Sequence, residues 1–304
     1  MRIGTTAVVY TLRYPIEQVM ERIAAAGFDS VDLNLYSFCG KDHNAMDSFP
    51  MAEDGWRDWA RYVGECAEKA GVVVGQAHAP QFCMMPQDGS YREPEEIFYR
   101  AIEACKLMGT PHLVFHPIFY RARIRSESLL DEIMAYNIRW FSTLKSTARE
   151  FGVKVALENS FDFPKCQEPG DPRYNFTTAE DMLNLLYGVD SEMFCFCLDT
   201  GHANLAGQNV PEMVRAFGEN LEVLHLNDNY GMISPIYSDV HTLLGLASLD
   251  VPSIFQALQE IEYGGIYNLE CRANMAKMPD GILDLTMSYA AQALKRYAQE
   301  AGIV

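Results

Sequence analysis

The chain alternates short β-rich runs with longer segments of helical periodicity, and eight such pairs follow one another along its 304 residues. The runs of strand character are 3–9, 30–35, 72–78, 112–116, 153–158, 194–199, 221–226 and 266–270. The helical segments are 15–26, 55–70, 93–108, 128–151, 178–187, 210–217, 251–262 and 280–301. This alternation is typical of βαβ units around a parallel sheet. Since no Pro- or Ser-rich linker interrupts it, we predict a single (β/α)8 TIM barrel over residues 1–304.

The connections between these segments differ in length. Turns from a helix to the next strand take two or three residues, as at Ala70-Gly71 and Phe151-Gly152. The connections that follow strands are much longer, at residues 36–54, 79–92, 117–127, 159–177 and 227–250. In (β/α)8 barrels the catalytic residues lie at the C-terminal ends of the strands and on the loops after them. We therefore expect the active site at that end of the barrel.

The composition limits which binding partners and which cellular compartment we expect for the protein. The formal net charge of −17 repels phosphate backbones and anionic membranes, so we expect a small-molecule substrate and no nucleic acid. The N-terminal segment lacks the apolar core of an export signal, and no run approaches the roughly 18 apolar residues that span a bilayer. These features predict a cytoplasmic protein without membrane association.

The cysteines do not form a recognisable framework. Eight of them are scattered along the chain without a CxxC pair, which predicts reduced thiols and no disulfides. Cys195 and Cys197 share one predicted strand, so both thiols should face the same side and be buried.

Four acidic or imidazole side chains stand at the ends of the last four predicted strands. These residues, the carboxylate–histidine cluster, are Glu158, Asp199, His225 and Glu270. Each one alone is better explained by a helix cap, an ion pair or a core histidine, but the shared position of all four indicates one site. Three carboxylates would repel one another there unless a cation held them. Oxygen and nitrogen donors without thiolate suit Mn²⁺, Mg²⁺ or Co²⁺ and also admit Zn²⁺.

Further imidazoles fall on the same face. Two of them end strands three and four, one lies three residues beyond Asp199, and one follows the aspartate of a D-x-H string in the loop after strand seven. This histidine rim consists of His78, His116, His202 and His241. The remaining histidines, His43 and His112, are expected to be structural or solvent-facing.

Five strings in this region carry a family resemblance. They are ALENS (156–160), CLDTGHANLAG (197–207), HLNDN (225–229), SDVHTLLG (238–245) and NLECR (268–272). Their sequence and order resemble the xylose isomerase-like TIM-barrel superfamily, specifically its sugar isomerase/epimerase and endonuclease IV branches. In the sugar branch, the resemblance implies that the carboxylate–histidine cluster binds one metal, commonly Mn²⁺, and that His202 contacts substrate. Barrels of this kind often pair, so a homodimer is one expected assembly.

The sugar-branch chemistry assigns further roles. A metal that chelates a carbonyl and its neighbouring hydroxyl stabilises the enediolate formed when a proton leaves the carbon between them. Glu158 and Glu270 are the predicted catalytic pair that removes and returns this proton, and a dry pocket should pull their pKa values toward neutrality. The predicted substrate-binding residues are His78, His116, His202, His241, Asp239 and Arg272. The candidate pocket walls are Phe38, Phe115, Phe119, Phe161 and Phe163, for which ordinary core packing is an equally good interpretation.

Other functions stay open. The resemblance to endonuclease IV implies a three-zinc site that acts on abasic DNA, and the cluster, the histidine rim and Asp239 match its ligands. A lyase or dehydratase on a keto sugar or inositol derivative, and a barrel that binds a polyol without turnover, are further alternatives. The net charge and the lack of a basic stripe on the loops favour the sugar branch.

Two further features concern the substrate. Arg121, Arg123 and Arg125 form the densest basic group, enough for one phosphate or carboxylate or else a solvated loop. Ketohexose 3-epimerases usually carry a second glutamate and an arginine where this chain has Pro164 and Gly231. The GxG-type turn usual after the D-x-H-x-x-x-G histidine is also absent. The substrate contacts of that subgroup therefore do not transfer, and the sugar is not identified by the sequence.

Overall fold

A computed structural model describes residues 1–39, 50–80, 83–161, 176–189, 192–232, 239–272 and 275–303. Four residues discussed above, His43, Phe163, Pro164 and Cys166, lie outside these ranges. The other site residues lie within them.

Eight parallel strands form the barrel. They are β1 (Arg2–Thr6), β2 (Ser30–Asn34), β3 (Val73–His78), β4 (His112–Phe115), β5 (Lys154–Glu158), β6 (Phe194–Asp199), β7 (Leu221–His225) and β8 (Ile266–Leu269). Hydrogen bonds link them in the order β7-β6-β5-β4-β3-β2-β1-β8. Leu226, just beyond β7, donates to Asn268 O over 2.8 Å and accepts from Glu270 N over 3.0 Å, which joins β7 to β8. The predicted single (β/α)8 barrel is confirmed.

The helices cover the outside of the barrel. Those in the described ranges are α1 (Val8–Thr11), α2 (Ile16–Ala26), α3 (Trp56–Ala70), α4 (Glu96–Met108), α5 (Glu127–Phe151), α6 (Ala179–Val189), α7 (Thr200–Leu205), α8 (Val210–Phe217), α9 (Val251–Glu260) and α10 (Asp280–Glu300). No helix among these is long and apolar enough to cross a membrane. All eight predicted helices are present, with ends that differ by a few residues.

Two short helices were not predicted, and both begin at strand ends. Residues 7–9 were expected to extend the first strand, but β1 stops at Thr6 and α1 begins at Val8. The reason is local: the carbonyl of Ala7 accepts from the amides of Tyr10 and Thr11, which closes a helical turn. The second, α7, begins at Thr200, directly after β6, and the carboxylate of Asp199 caps it.

The interior of the barrel is divided into an apolar and a polar half. The apolar half, on β4 to β7, consists of Val114, Ala156, Cys195, Cys197 and Val223. The polar half, on β2, β3 and β8, is connected by hydrogen bonds and consists of Asp32, Gln76 and Asn268. The two cysteines thus share one face and are buried, as predicted. Among the described residues, Cys66, Cys105, Cys195, Cys197 and Cys271 are free thiols.

Candidate active site

The carboxylate–histidine cluster converges at the C-terminal ends of β5 to β8. One ligand atom from each of its four residues lies within 4.8 Å of the others. The parallel register sets this, because Asp199 and His225 are direct partners at the ends of β6 and β7. All four residues are buried. The structure therefore brings together the four residues that the sequence placed at strand ends.

His225 lies between the two glutamates of the cluster and a buried aspartate, Asp32. Its Nδ1 lies 2.9 Å from Glu158 Oε1 and 3.3 Å from Glu270 Oε2. Its Nε2 lies 3.1 Å from Asp32 Oδ2. No prediction named Asp32, because it lies in the middle of β2 and not at its end.

Asp199 is fixed by its neighbours through both carboxylate oxygens. Oδ1 accepts from the amide of His202 over 2.6 Å, and Oδ2 accepts from Asn227 Nδ2 over 2.8 Å. Burial raises its pKa to about 6. Asn159 and Asn227, two residues that no prediction named, both support this position. A polar residue directly after a metal-site glutamate, as Asn159 is, could have been noticed.

The aspartate of the HLND string has a structural role. Asp228 accepts hydrogen bonds from the backbone amides of Gly245, Ala247 and Leu249, over 3.0 to 3.2 Å. A buried carboxylate that receives several amide donors anchors a loop without approaching the cluster. It shapes the segment that follows His241.

The histidine rim lies over the cluster as two pairs. His78 and His116 each place Nε2 3.2 Å from Glu158 Oε2. His202 and His241 place Nε2 3.5 and 2.8 Å from Asp239 Oδ1. Each pair, with a carboxylate of the cluster, also forms a group that could hold a metal: His78, His116 and Glu158, and Asp199, His202 and His241.

The charge states of the glutamates differ from the expectation. Burial acts to raise the pKa of Glu158, but His116 and His225 outweigh it and hold the pKa well below its ordinary value. Burial also acts to raise the pKa of Glu270, which His225 and His241 lower instead. The expectation of pKa values near neutrality was wrong, because imidazoles crowd both carboxylates. Both glutamates are ionised.

The pKa values of two imidazoles in the histidine rim are shifted in opposite directions. Burial lowers the pKa of His116 to about 3, although Glu158 acts to raise it. Burial also acts to lower the pKa of His202, but Asp199 and Asp239 outweigh it and raise the pKa to about 9.

A cavity of about 190 Å³ opens above the cluster. Its lining residues are Tyr36, His78, Met84, His116, Phe119, Arg121, Glu158, Ser160, Phe161, His202, Asp239, His241, Glu270 and Arg272. All six predicted substrate-binding residues line it, and so do both predicted catalytic glutamates. Asp199 and His225 have no exposed surface and lie beneath it.

The predicted walls are partly wrong. Phe119 and Phe161 line the cavity. Phe38 instead packs on Trp59 with ring centroids 4.8 Å apart, and Phe115 packs among the aromatic rings of the helix layer. Phe115 alternates with the interior residue Val114 along β4, so it must face the helices.

Other lining residues were missed or only partly anticipated. Tyr36, Met84 and Ser160 all follow strands, the position that could have identified them. Of the basic group in the loop after β4, Arg121 lines the cavity, whereas Arg123 and Arg125 are not part of its lining. The three arginines therefore do not form one anion site at the cavity.

The cluster fits a divalent cation. Three buried carboxylates that each place an oxygen within 4.8 Å of the others are costly to assemble unless positive charge balances them. Cys197 lies near Glu158 and His225, but burial raises the pKa of its thiol, so it stays protonated and is a poor ligand. The remaining oxygen and nitrogen donors suit Mn²⁺, Mg²⁺, Co²⁺ or Zn²⁺.

A (β/α)8 barrel with its polar site and cavity at the C-terminal ends of the strands is the architecture of a barrel enzyme. A family model for the xylose isomerase-like TIM barrel matches residues 20–297. The chain belongs to this family, as its motifs indicated.

Curated relatives are distant. An uncharacterized protein of Methanocaldococcus jannaschii is 25% identical over 275 residues, 89% of this chain and 83% of that protein. An inosose isomerase of Bacillus licheniformis is 21% identical over 181 residues, 59% of this chain and 60% of the isomerase.

Solved structures share the fold. A D-tagatose 3-epimerase-like protein superposes with a TM-score of 0.71 at 21% identity, covering 99% of this chain and 98% of the other. An IOLI protein with a binding zinc atom superposes with a TM-score of 0.70 at 19% identity, with the same coverage. These two neighbours share the fold of this chain, and one of them is described with a bound zinc atom.

Proposed function

We propose that the protein is a metal-dependent isomerase or epimerase of a sugar or sugar derivative. One observation carries the proposal: of the carboxylate–histidine cluster, Glu158 and Glu270 line the cavity, while Asp199 and His225 lie beneath it. The two glutamates reach the cavity from β5 and from the end of β8, with β6 and β7 between them. A small molecule in the cavity therefore meets a carboxylate on two sides.

The residues of the chain then have separate roles in the proposed reaction. A divalent metal, when held by the cluster, supplies positive charge that stabilises an enediolate. Glu158 and Glu270 are ionised, so either can accept the proton from the carbon next to the carbonyl. The other glutamate, once protonated from solvent, gives a proton to the opposite face of that carbon, which yields the epimer, and the first glutamate releases its proton to solvent. If a proton is instead returned to the neighbouring carbon, while a hydroxyl proton passes from one oxygen to the other, the product is the isomer. Phe119 and Phe161 exclude water from one side of the cavity.

The relatives support this class of reaction. An inosose isomerase is among the curated relatives, a D-tagatose 3-epimerase-like protein is among the structural neighbours, and another neighbour binds zinc. We propose Mn²⁺ as the metal, with Zn²⁺, Co²⁺ and Mg²⁺ as alternatives, because the donor set is oxygen-rich and lacks thiolate.

Solvent-deuterium exchange tests the proposal. The native protein, after metal analysis, is incubated in D₂O with keto sugars, inosose derivatives and their phosphates, and deuterium in the sugar is measured. We expect exchange in the native protein, and its loss in Glu158→Gln and in Glu270→Gln. Glu219→Gln, an exposed site at the other end of the barrel, serves as the matched control. Full exchange in both cluster variants contradicts the assigned roles, and polyol binding without exchange in the native protein indicates a binding barrel.

A second candidate function is a zinc phosphodiesterase that acts on abasic DNA. It is favoured by the two further metal-binding groups that the histidine rim forms with Glu158 and Asp199. The net charge of −17 opposes it, because binding to duplex DNA requires basic residues to replace counterions. Metal counting separates the two: one metal per chain supports the isomerase, whereas three zinc ions with cleavage of an abasic duplex support the phosphodiesterase.

A further inference from the structure

Asp32 is a fully buried carboxylate in the polar half of the barrel interior, below the carboxylate–histidine cluster. It lies in the middle of β2, paired in register with Thr6 of β1 and Gln76 of β3. Its exposed fraction is 0%. A carboxylate at such a depth is costly unless donors satisfy it, so its partners indicate its role.

Two amide donors and one imidazole nitrogen converge on one oxygen of Asp32. Oδ2 accepts from Gln76 Nε2 and from Asn268 Nδ2 over 3.2 Å each, and His225 Nε2 lies 3.1 Å away. These three groups come from β3, β8 and β7. Gln76 Nε2 also lies 3.4 Å from the carbonyl of Leu224, the residue before His225. The carboxylate is therefore fixed in position against the backbone that carries His225.

The opposite nitrogen of His225 faces the cluster. Nδ1 lies 2.9 Å from Glu158 Oε1 and 3.3 Å from Glu270 Oε2. The ring of His78 stacks on that of His225 at 6.0 Å with an interplanar angle of 13°. A histidine that ligates a metal needs an unprotonated nitrogen on the metal side, and a carboxylate acceptor on the other nitrogen selects that tautomer and fixes the ring.

We propose that Asp32 is a positioning residue for His225: it accepts the Nε2 proton and so presents the unprotonated Nδ1 to a divalent metal. The inference rests on the proposed metal site. Asp32 does not line the cavity, so its effect on the reaction passes through His225.

Metal affinity tests the inference without any substrate. Full-length protein, stripped of metal, is titrated with Mn²⁺ and with Zn²⁺ by calorimetry. We expect Asp32→Asn, which keeps an acceptor oxygen, to bind about tenfold more weakly, and Asp32→Ala about a hundredfold more weakly. Asp29→Asn is the matched control, because it makes the same change just before β2, where Asp29 Oδ2 accepts from the amide of Ile3. Its metal affinity should equal that of the native protein.

The outcomes separate the inference from the function on which it rests. Native protein that binds no divalent metal overturns the proposed metal site and this inference with it. Native protein that binds metal, with unchanged affinity in both Asp32 variants, overturns the inference alone.

A second measurement needs no variant at Asp32. Long-range ¹H–¹⁵N spectra of histidine-labelled, Zn²⁺-loaded protein report which ring nitrogen carries the proton, and loss of a signal in His225→Gln assigns it. We expect His225 with the proton on Nε2. A proton on Nδ1 in the loaded protein overturns the inference even if the Asp32 variants do not fold.

Discussion

The side-chain amide of Asn159 pairs with both backbone groups of Asp199. Nδ2 donates to the carbonyl oxygen over 2.9 Å, and Oδ1 accepts from the amide nitrogen over 2.8 Å. All of these groups are buried, so Asn159→Ala leaves one backbone donor and one acceptor without a partner. At about 1–3 kcal/mol for each, we expect the free energy of unfolding to fall by about 2–4 kcal/mol in urea titrations. Gln256→Ala, which removes an exposed amide on α9, should change it by less than about 0.5 kcal/mol.

Gly201 leaves space for an amide that supports the cluster. A Cβ at this position would lie 1.9 Å from Asn227 Oδ1, and Asn227 donates to Asp199 Oδ2 over 2.8 Å. Gly201→Ala should therefore displace Asn227 and weaken Mn²⁺ binding about tenfold or more, as measured by calorimetry. Gly281→Ala, at the start of α10 with no atom within 4 Å of the new Cβ, should leave Mn²⁺ binding unchanged. Equal affinity in both variants contradicts a supporting role for Asn227.

His202 distinguishes a single metal from several. It lines the cavity but is not part of the carboxylate–histidine cluster. If it contacts only substrate, His202→Ala should raise KM roughly tenfold, the loss of about one hydrogen bond, with the metal content unchanged. Steady-state kinetics and elemental analysis of the same preparation measure both quantities. Loss of one metal per chain would instead favour the multinuclear site.

Glu222 links stability to pH at the opposite end of the barrel. His112 Nε2 lies 3.0 Å from Glu222 Oε2, and Lys154 Nζ contacts Oε1. Burial acts to raise the pKa of Glu222, but these two hydrogen bonds outweigh it and lower the pKa. A lowered pKa stabilises the folded state above the unfolded value of about 4.3, and this stability is lost as the pH falls through the folded pKa.

Glu222→Gln tests this linkage. Since the side chain is 29% exposed, we expect the variant to be only about 1 kcal/mol less stable near neutral pH. The difference from the native protein should shrink as the pH falls below about 4. Urea titrations at several pH values measure this difference, and Glu219→Gln, an exposed change nearby, should show none. A difference that is constant with pH contradicts the linkage.

Local sequence patterns were sufficient to predict the barrel and many of the residues of the site. Strand and helix periodicities depend on neighbouring residues, so all eight strands and the long helices were placed within a few residues. Parallel strands bring their C-terminal ends to one side, so Glu158, Asp199, His225 and Glu270 could be grouped without knowledge of any contact. The same reasoning placed the histidine rim at the mouth of the barrel.

The side-chain contacts and charge states that depend on strand register and on closure of the barrel could be determined only from the tertiary structure. Asp32 and His225 meet only because closure of the barrel brings the middle of β2 close to the end of β7, and no local pattern encodes that contact. The ionisation of Glu158 and Glu270 was likewise unpredictable, because it depends on how many imidazoles face each carboxylate. Phe115 does not line the cavity as predicted, because its position on β4 faces the helices. The sequence determined which end of the barrel carries the site, and long-range packing determined which side chains face the cavity, which lie beneath it and what charge they carry.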